Sequence, residues 1–370
     1  MIAALLIIWT IFTSLTGGLF ISSRNLSNLF LQMCTTGILT GAMLLIMVAG
    51  HIDLSVGSVC GTLGAVAAFL MMKMGLNPLI AIAATLALGF LVGAWHGYWV
   101  AYRGVPAFIV TLASQIAFKG FTLFVTNGKT IGEFPTFFKS IGQGYIPRLI
   151  LKDAPFHDLT LLVFIVGLTA FVFMDIRKRK KRISNGFKVL PLSLEVAKVI
   201  VISLGIAIVG YVLSSYMGLP YAILILAIIV AVFTVITTRT PFGRHVYATG
   251  GNSEAAKLSG VDTKKTLLIV FMLMGSLAGV ASIVFTARLN AATTSAGTLF
   301  ELDAIAACII GGTSTTGGIG TVFGALIGAL VMASLDNGMS LLNLPIMYQY
   351  MIKGAILLLA VWIDIATRKK

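Results

Sequence analysis

Repeated apolar runs of about twenty residues constrain this chain more than any other feature. They lie near 1–21, 27–50, 55–72, 78–101, 106–126, 157–176, 195–213, 220–237, 266–287, 318–340 and 345–365. A helix that crosses a bilayer needs about 20 mostly apolar residues. Lipid satisfies no backbone polar group, so each run must close its own hydrogen bonds, which a helix does. A shorter piece, 302–310, reads either as a half-helix or as a full span with polar ends. Counting it gives an all-α polytopic membrane protein of about 10–12 transmembrane segments. Of 370 residues 58% are hydrophobic and 10% charged, more apolar surface than a soluble chain of this length can hide.

The net charge of +14 raises nucleic acid as a partner until the charges are placed. With the C-terminal Arg368-Lys369-Lys370 in the cytoplasm and the spans alternating backwards, the inner side receives Arg103, the run 177–182, Lys188, the basic residues of 238–266 and the tail. The outer side receives fewer: Arg24, Lys73, Lys129, Lys139, Arg148, Lys152 and Arg288. This asymmetry predicts both termini in the cytoplasm and explains most of the charge as topology, helped by anionic membrane lipid. No nucleic-acid-binding motif appears. Cys34, Cys60 and Cys308 lie far apart in apolar or Gly-rich surroundings, so they read as small core residues. No cleavable signal pattern follows the first apolar run, and the natural start can lie upstream of Met1.

Between two long runs lies the basic stretch 238–266, with Arg239, Arg244, Lys257, Lys264 and Lys265 against Glu254 and Asp262. Asn252 or Ser253 can cap a helix there, and Glu254 suits its first turn. Gly260 can close it in the left-handed conformation. The stretch predicts a helix of about two turns, too short to span and too polar to insert, suited to docking a soluble partner. Elsewhere 127–157 reads as an external loop ordered by turns, since it is rich in Gly and Pro. Segment 157–213 reads as a hairpin of two spans around the basic run. Glycine ladders at 89/93/97, 275/279 and 320/324/328 predict close helix packing. Two Gly-flanked polar breaks, 49–58 and 311–318, resemble the interrupted helices that mark a transport path.

Several chemistries are absent from the sequence. There is no P-loop, no G-x-S-x-G, no H-E-x-x-H and no Cys/His cluster. The chain is therefore expected to bind no cofactor or metal and to catalyse no reaction itself. Asp53, Glu301, Asp303 and Asp336 are the acids nearest the membrane core, and none is placed at mid-span, which disfavours a proton-coupled carrier. Asp53 reads as the N-cap of the next helix or as a path residue. Lys119 and Lys353 fall inside spans, where each can snorkel or pair with an acid such as Asp336. Weakly binding polar groups suit a sugar in transit. Asp53, Ser55, Ser58, Gln115, Asn337 and Gln349 are the candidates for that path, and Thr111, Ser114, Ser340 and Asn343 have similar chemistry. Each reads equally as a helix–helix hydrogen bond.

Four motifs occur in a telling order: 52–58 (IDLSVGS), 105–112 (VPAFIVTL), Glu254-Ala255-Ala256-x-x-x-Gly260, and 301–307 with 311–314. Together they resemble monosaccharide ABC importer permeases of the ribose/xylose class. Segments 95–103, 333–340 and 353–362 and the hairpin 157–213 are most similar to the xylose and multiple-monosaccharide subgroup. His51 departs from that pattern. The resemblance covers nearly the whole chain and implies a ribose/vitamin-B12-importer-like permease fold in one transmembrane domain, 1–370. It implies a second copy of the chain, a cytoplasmic ABC ATPase that holds ATP and Mg, and an extracytoplasmic sugar-binding protein. Stretch 238–266 becomes a cytoplasmic coupling loop, with Arg244, Asn252, Glu254, Ala255, Ala256 and Gly260 toward the ATPase. Arg24, Lys139, Arg148 and Arg288 become candidates for docking the binding protein. Xylose is the expected sugar, with arabinose, galactose, glucose and ribose as alternatives. A secondary, ion-coupled carrier and a channel-like subunit are the readings from other classes.

Overall fold

The computed structural model describes residues 2–149 and 154–368, apart from the side chains of residues 363, 367 and 368. Lys152 and the terminal Lys369-Lys370, used above to orient the chain, lie outside the described residues. The chain forms α1 (Ile2–Leu15), α2 (Ser23–Val48), α3 (Val56–Met72), α4 (Pro78–Ala101), α5 (Ala107–Thr126), α6 (Thr136–Gln143), α7 (Asp158–Ser184) and α8 (Leu192–Ser214). There follow α9 (Tyr221–Arg239), α10 (Pro241–Gly251), α11 (Ser253–Leu258), α12 (Thr263–Leu289), α13 (Phe300–Ile310), α14 (Val322–Leu341) and α15 (Ile346–Arg368). The described sheet is one short antiparallel pair, β1 (Ile131–Gly132) with β2 (Ala291–Ala292).

Among the described residues nine helices are long and apolar enough to cross a membrane, while α1 and α3 are apolar but shorter. The piece expected near 302–310 is α13. Its eleven residues reach about 16 Å, half the thickness of a hydrocarbon core, so it is a half-helix and not a span. The first run also falls short of 1–21, because Gly17 and Gly18 take left-handed backbone after Leu15.

The residues divide into two compact units. The larger holds the chain up to Phe20, Leu29–Gly144 and everything from Tyr221 on; the smaller holds Ile21–Asn28 and Tyr145–Pro220. The part of α2 within the larger unit, from Leu29 on, is buried almost all round; Ile38, Leu39, Leu44, Leu45 and Ile46 are wholly buried, as a stretch with little polar surface must be. The closest helix pair is α4 against α12. A Cβ at Gly93 would strike the Phe271 carbonyl, and one at Gly275 would strike the backbone of Gly89 and Gly93. Only hydrogen side chains permit that approach, which gives the ladder its packing role. At one end of the unit, 127–144 is more ordered than turns alone would make it. Phe134, Phe138 and Ile141 share a stripe that packs on Ala67, Ala68 and Ala287, and this burial folds α6.

At the opposite end, the two breaks expected from sequence touch. The Gly318 amide donates to the Val48 carbonyl at 2.8 Å, and Gly317 lies against Gly50. A third interruption, 290–299 between α12 and α13, is also polar, with Asn290, Thr293, Thr294, Ser295 and Thr298, but it was not singled out from sequence as a break. It brings the start of α13 onto the start of α3, where a Cβ at Gly57 would collide with Gly297 and the Glu301 carboxylate.

The smaller unit is an α7–α8 hairpin. The basic run expected in a loop instead continues α7 as helix to Ser184, because lysine and arginine are good helix formers and suit a helix C-terminus.

Candidate functional site

Where α3 and α13 begin, polar side chains gather. Asp53 does not cap α3, as had been expected; the capping position falls to Ser55, whose side chain makes no capping bond. Asp53 Oδ1 instead accepts from the Ser55 amide at 2.7 Å and the Ser55 hydroxyl at 2.6 Å, which holds the break in shape. The Leu54 amide donates to Thr111 Oγ1 on α5 at 3.1 Å. Ser58 Oγ donates back to the Ser55 carbonyl at 2.8 Å. One turn along α5, Gln115 Nε2 donates to Glu301 Oε1 at 2.8 Å. His96 Nε2 and Ser114 Oγ are 2.8 Å apart. The sequence reading singled out neither His96 nor Glu301 for this cluster; their helices meet only after folding.

Of the six path candidates, Asp53, Ser55, Ser58 and Gln115 therefore lie where α3 meets α5 and α13. Asn337 is buried on α14. Gln349 Nε2 is engaged by the Leu344 carbonyl at the start of α15, at 2.8 Å. The cavity beside Asp53, Ser55 and His96 is about 10 Å³, room for one water at most and far below the several hundred Å³ of a small-molecule site. A larger hollow of about 560 Å³ opens where α3 and α5 end, lined by Lys73, Thr126, Asn127, Lys129 and Thr130 together with Phe69 and Phe124.

Glu301 and Asp303 sit in the first turn of α13, at the helix end where the sequence reading placed them. Both are buried within the bundle. Lys353 Nζ on α15 meets Asp303 at 2.9 Å and Asp336 on α14 at 2.9 Å, so one ammonium ties three helices together. Pairing with Asp336 was among the expected outcomes; Asp303 adds to it. Lys119 is exposed on α5, within a span.

Loop 238–266 holds two helices where one was expected. Thr240 caps α10 by accepting from the Gly243 amide, and Asn252 ends α10 and caps α11 by accepting from the Ala255 amide at 2.9 Å. Gly260 follows α11 with φ +85° and its amide bonds to the Lys257 carbonyl. Asp262 Oδ1 caps α12 through the Lys265 amide at 2.9 Å. The loop is seated on the bundle: Tyr247 Oη donates to the Gly320 carbonyl at 2.7 Å, and Gly250 lies on Val48 and Gly318. Burial pushes the Tyr247 phenol up from its usual range, so it stays a donor. Arg244, Asn252, Glu254 and Ala255 are exposed, as is Gly260. Ala256 is only 5% exposed, so it seats α11 on the bundle. Leu258, which sequence reasoning passed over, is 90% exposed.

The four cations expected to dock a binding protein differ in placement. Arg24 is exposed and Lys139 half-exposed on α6. Arg148 Nη1 donates to the Ala154 carbonyl at 3.0 Å. Arg288 is turned in: its guanidinium stands 5.7 Å over the Phe285 ring, and its Nε is buried. That placement leaves it poorly available to a second protein.

The described residues form long apolar helices with a polar loop, 238–266, seated on them, and no cluster of metal-ligating groups is found among them. Residues 25–361 match the family described as branched-chain amino acid transport system / permease component. The chain belongs to this permease family. The permease is 44% identical over 370 residues to the xylose transport system permease protein XylH of Escherichia coli, covering 100% of this chain and 92% of that one. XylH of Haemophilus influenzae is 43% identical over the same length, covering 96% of that protein. The ribose import permease protein RbsC of Escherichia coli is 34% identical over 361 residues, 98% of this chain and 91% of the relative. No solved structure matches the chain. The permease is thus a multi-pass protein of a bacterial inner membrane and a transport subunit for sugar.

Proposed function

We propose that this permease forms the path for xylose in an ATP-driven importer. The observation that carries the sugar is full-length identity of 44% to a xylose transport permease. What supports coupling to a separate motor is the seated loop with Leu258, Glu254 and Ala255 exposed and no nucleotide motif in the chain. In this reading loop 238–266 and both termini are cytoplasmic. A cytoplasmic ABC ATPase receives α11, with Arg244 and Glu254 setting charge register and Leu258 as the apolar anchor. ATP and Mg belong to that ATPase. Two copies of the permease enclose the path, and an extracytoplasmic binding protein delivers the sugar. Asp53, Ser55, Ser58 and Gln115, with Glu301, border the path in a closed state, consistent with the 10 Å³ cavity beside them. Asn337 and Gln349 serve helix packing. Arg24, Lys139 and Arg148 meet the binding protein, while Arg288 fixes α12 and α6 through the bond from Gln143 Nε2 to its carbonyl.

One observation favours a second reading. Buried Glu301 and the Asp303–Lys353–Asp336 set are the kind of ionisable groups an ion-coupled carrier uses. Purification from native membranes separates the two. The importer reading predicts an ATPase that co-purifies and whose hydrolysis rises with sugar-loaded binding protein. A chain that emerges alone and catalyses sugar exchange dependent on a proton gradient would establish the carrier instead.

A further inference from the structure

The α7–α8 hairpin encloses a cavity that the transport reading leaves unused. Its volume is about 100 Å³, and Lys178, Arg179, Arg182 and Lys198 line it with Asp175 and Glu195. The two acids are committed. Asp175 Oδ1 accepts from Lys198 Nζ at 2.9 Å, and Glu195 pairs with both Arg179 and Lys198. Arg179 Nη1 also donates to the Leu190 carbonyl at 3.0 Å. These bonds fix two cations in place. Four cations against two carboxylates leave a surplus of two positive charges, contributed by Lys178 and Arg182. A topological signal needs only charge on the correct side. It needs neither a cavity nor partly buried acids that order two of its cations.

The surroundings indicate the ligand. The cavity lies at one end of two helices long and apolar enough to span, with Val189 and Leu190 in its lining, and the same two helices expose Ile176, Ile183, Leu192 and Leu194. An anion bound there has a polar cradle above and apolar surface alongside, the two halves of a phospholipid. Basic pockets between spanning helices suit acidic headgroups. We propose that the α7–α8 cavity binds the phosphate of an acidic phospholipid, with Lys178 and Arg182 as its direct cationic contacts and Arg179 and Lys198 completing the cradle. This inference does not depend on which sugar the permease carries.

Native mass spectrometry of the purified permease, exchanged into detergent from nanodiscs of phosphatidylglycerol or phosphatidylcholine, tests it. The unaltered chain is expected to retain phosphatidylglycerol selectively. The double variant Lys178→Gln, Arg182→Gln is expected to lose retention by roughly thirtyfold, at about one Lys/Arg contribution each. A second variant restores the hairpin's net charge at positions that do not line the cavity by adding Asn185→Lys and Phe187→Lys to that pair. Retention is expected to stay lost. If the relocated charges restore it, the lipid is held by bulk attraction and the cavity proposal is wrong. Glycerol phosphate or inorganic phosphate that binds as tightly as the lipid would show a soluble-anion site and overturn the lipid assignment.

Discussion

At the scale of single residues, the loop and the charged interior make separate predictions. Leu258 is 90% exposed on a six-residue polar helix, an arrangement with no folding purpose. As the anchor of an interface it should carry a disproportionate share of binding. Leu258→Asp is expected to weaken ATPase association by about 2 kcal/mol or more, with little change in the melting of the permease alone. Fluorescence binding in nanodiscs beside thermal unfolding reads both; equal affinity of the variant would remove Leu258 from the interface. Lys353 is a contrasting case. Lys353→Met leaves Asp303 and Asp336 facing each other without compensation, a loss of about 3–5 kcal/mol. Adding Asp303→Asn and Asp336→Asn should recover most of it, as a mutant cycle on unfolding would show. No recovery would mean the lysine matters for packing and not for charge. Tyr247 gives a pH dependence. Burial raises its phenol above the ordinary value, so its contribution is complete below about pH 10 and is lost as pH rises through the raised value. A Tyr247→Phe variant should lose about 1 kcal/mol at neutral pH and show a flatter alkaline decline in unfolding. An identical alkaline decline in the variant would locate that titration elsewhere.

At the scale of elements, helix contact decides stability, and much of it was legible. Long apolar runs announce spans because lipid leaves the backbone no alternative. Glycines at four-residue spacing announce close approach, and Gly89 and Gly93 do meet Gly275. Gly93→Leu is expected to force α4 from α12 and to destabilise by about 1–3 kcal/mol or more, with reduced folded yield in detergent. Unchanged melting would mean that the two helices pack elsewhere. What sequence concealed has physical causes. The break at 290–299 is polar in sequence but reads as an ordinary connection, because its packing against the start of α3 and its short β1–β2 pairing form only between segments distant in the chain. The basic run continues α7 because its residues favour helix as much as they favour water. α6 arises from a stripe of three apolar side chains that a Gly- and Pro-rich neighbourhood masks. Asp303 lies at a helix end as read, but its pairing with Lys353 depends on how α13 packs against α15, which the sequence does not show.

At the scale of the whole molecule, the transport role was legible because the loop, the apolar runs and the motifs agree with one another. The polar cluster was only partly so. Asp53, Ser55, Ser58 and Gln115 were singled out from their chemistry, but His96 and Glu301 join them through contacts between helices distant in sequence. The central claim is that this bundle moves sugar only when a separate ATPase acts on loop 238–266. Uptake of radiolabelled xylose into proteoliposomes, with the permease, its partner ATPase and binding protein, tests it most directly. ATP-dependent accumulation, abolished by Leu258→Asp together with Glu254→Lys and absent when the ATPase is omitted, is the predicted result. Accumulation by the permease alone, driven by an ion gradient and indifferent to those substitutions, would contradict it.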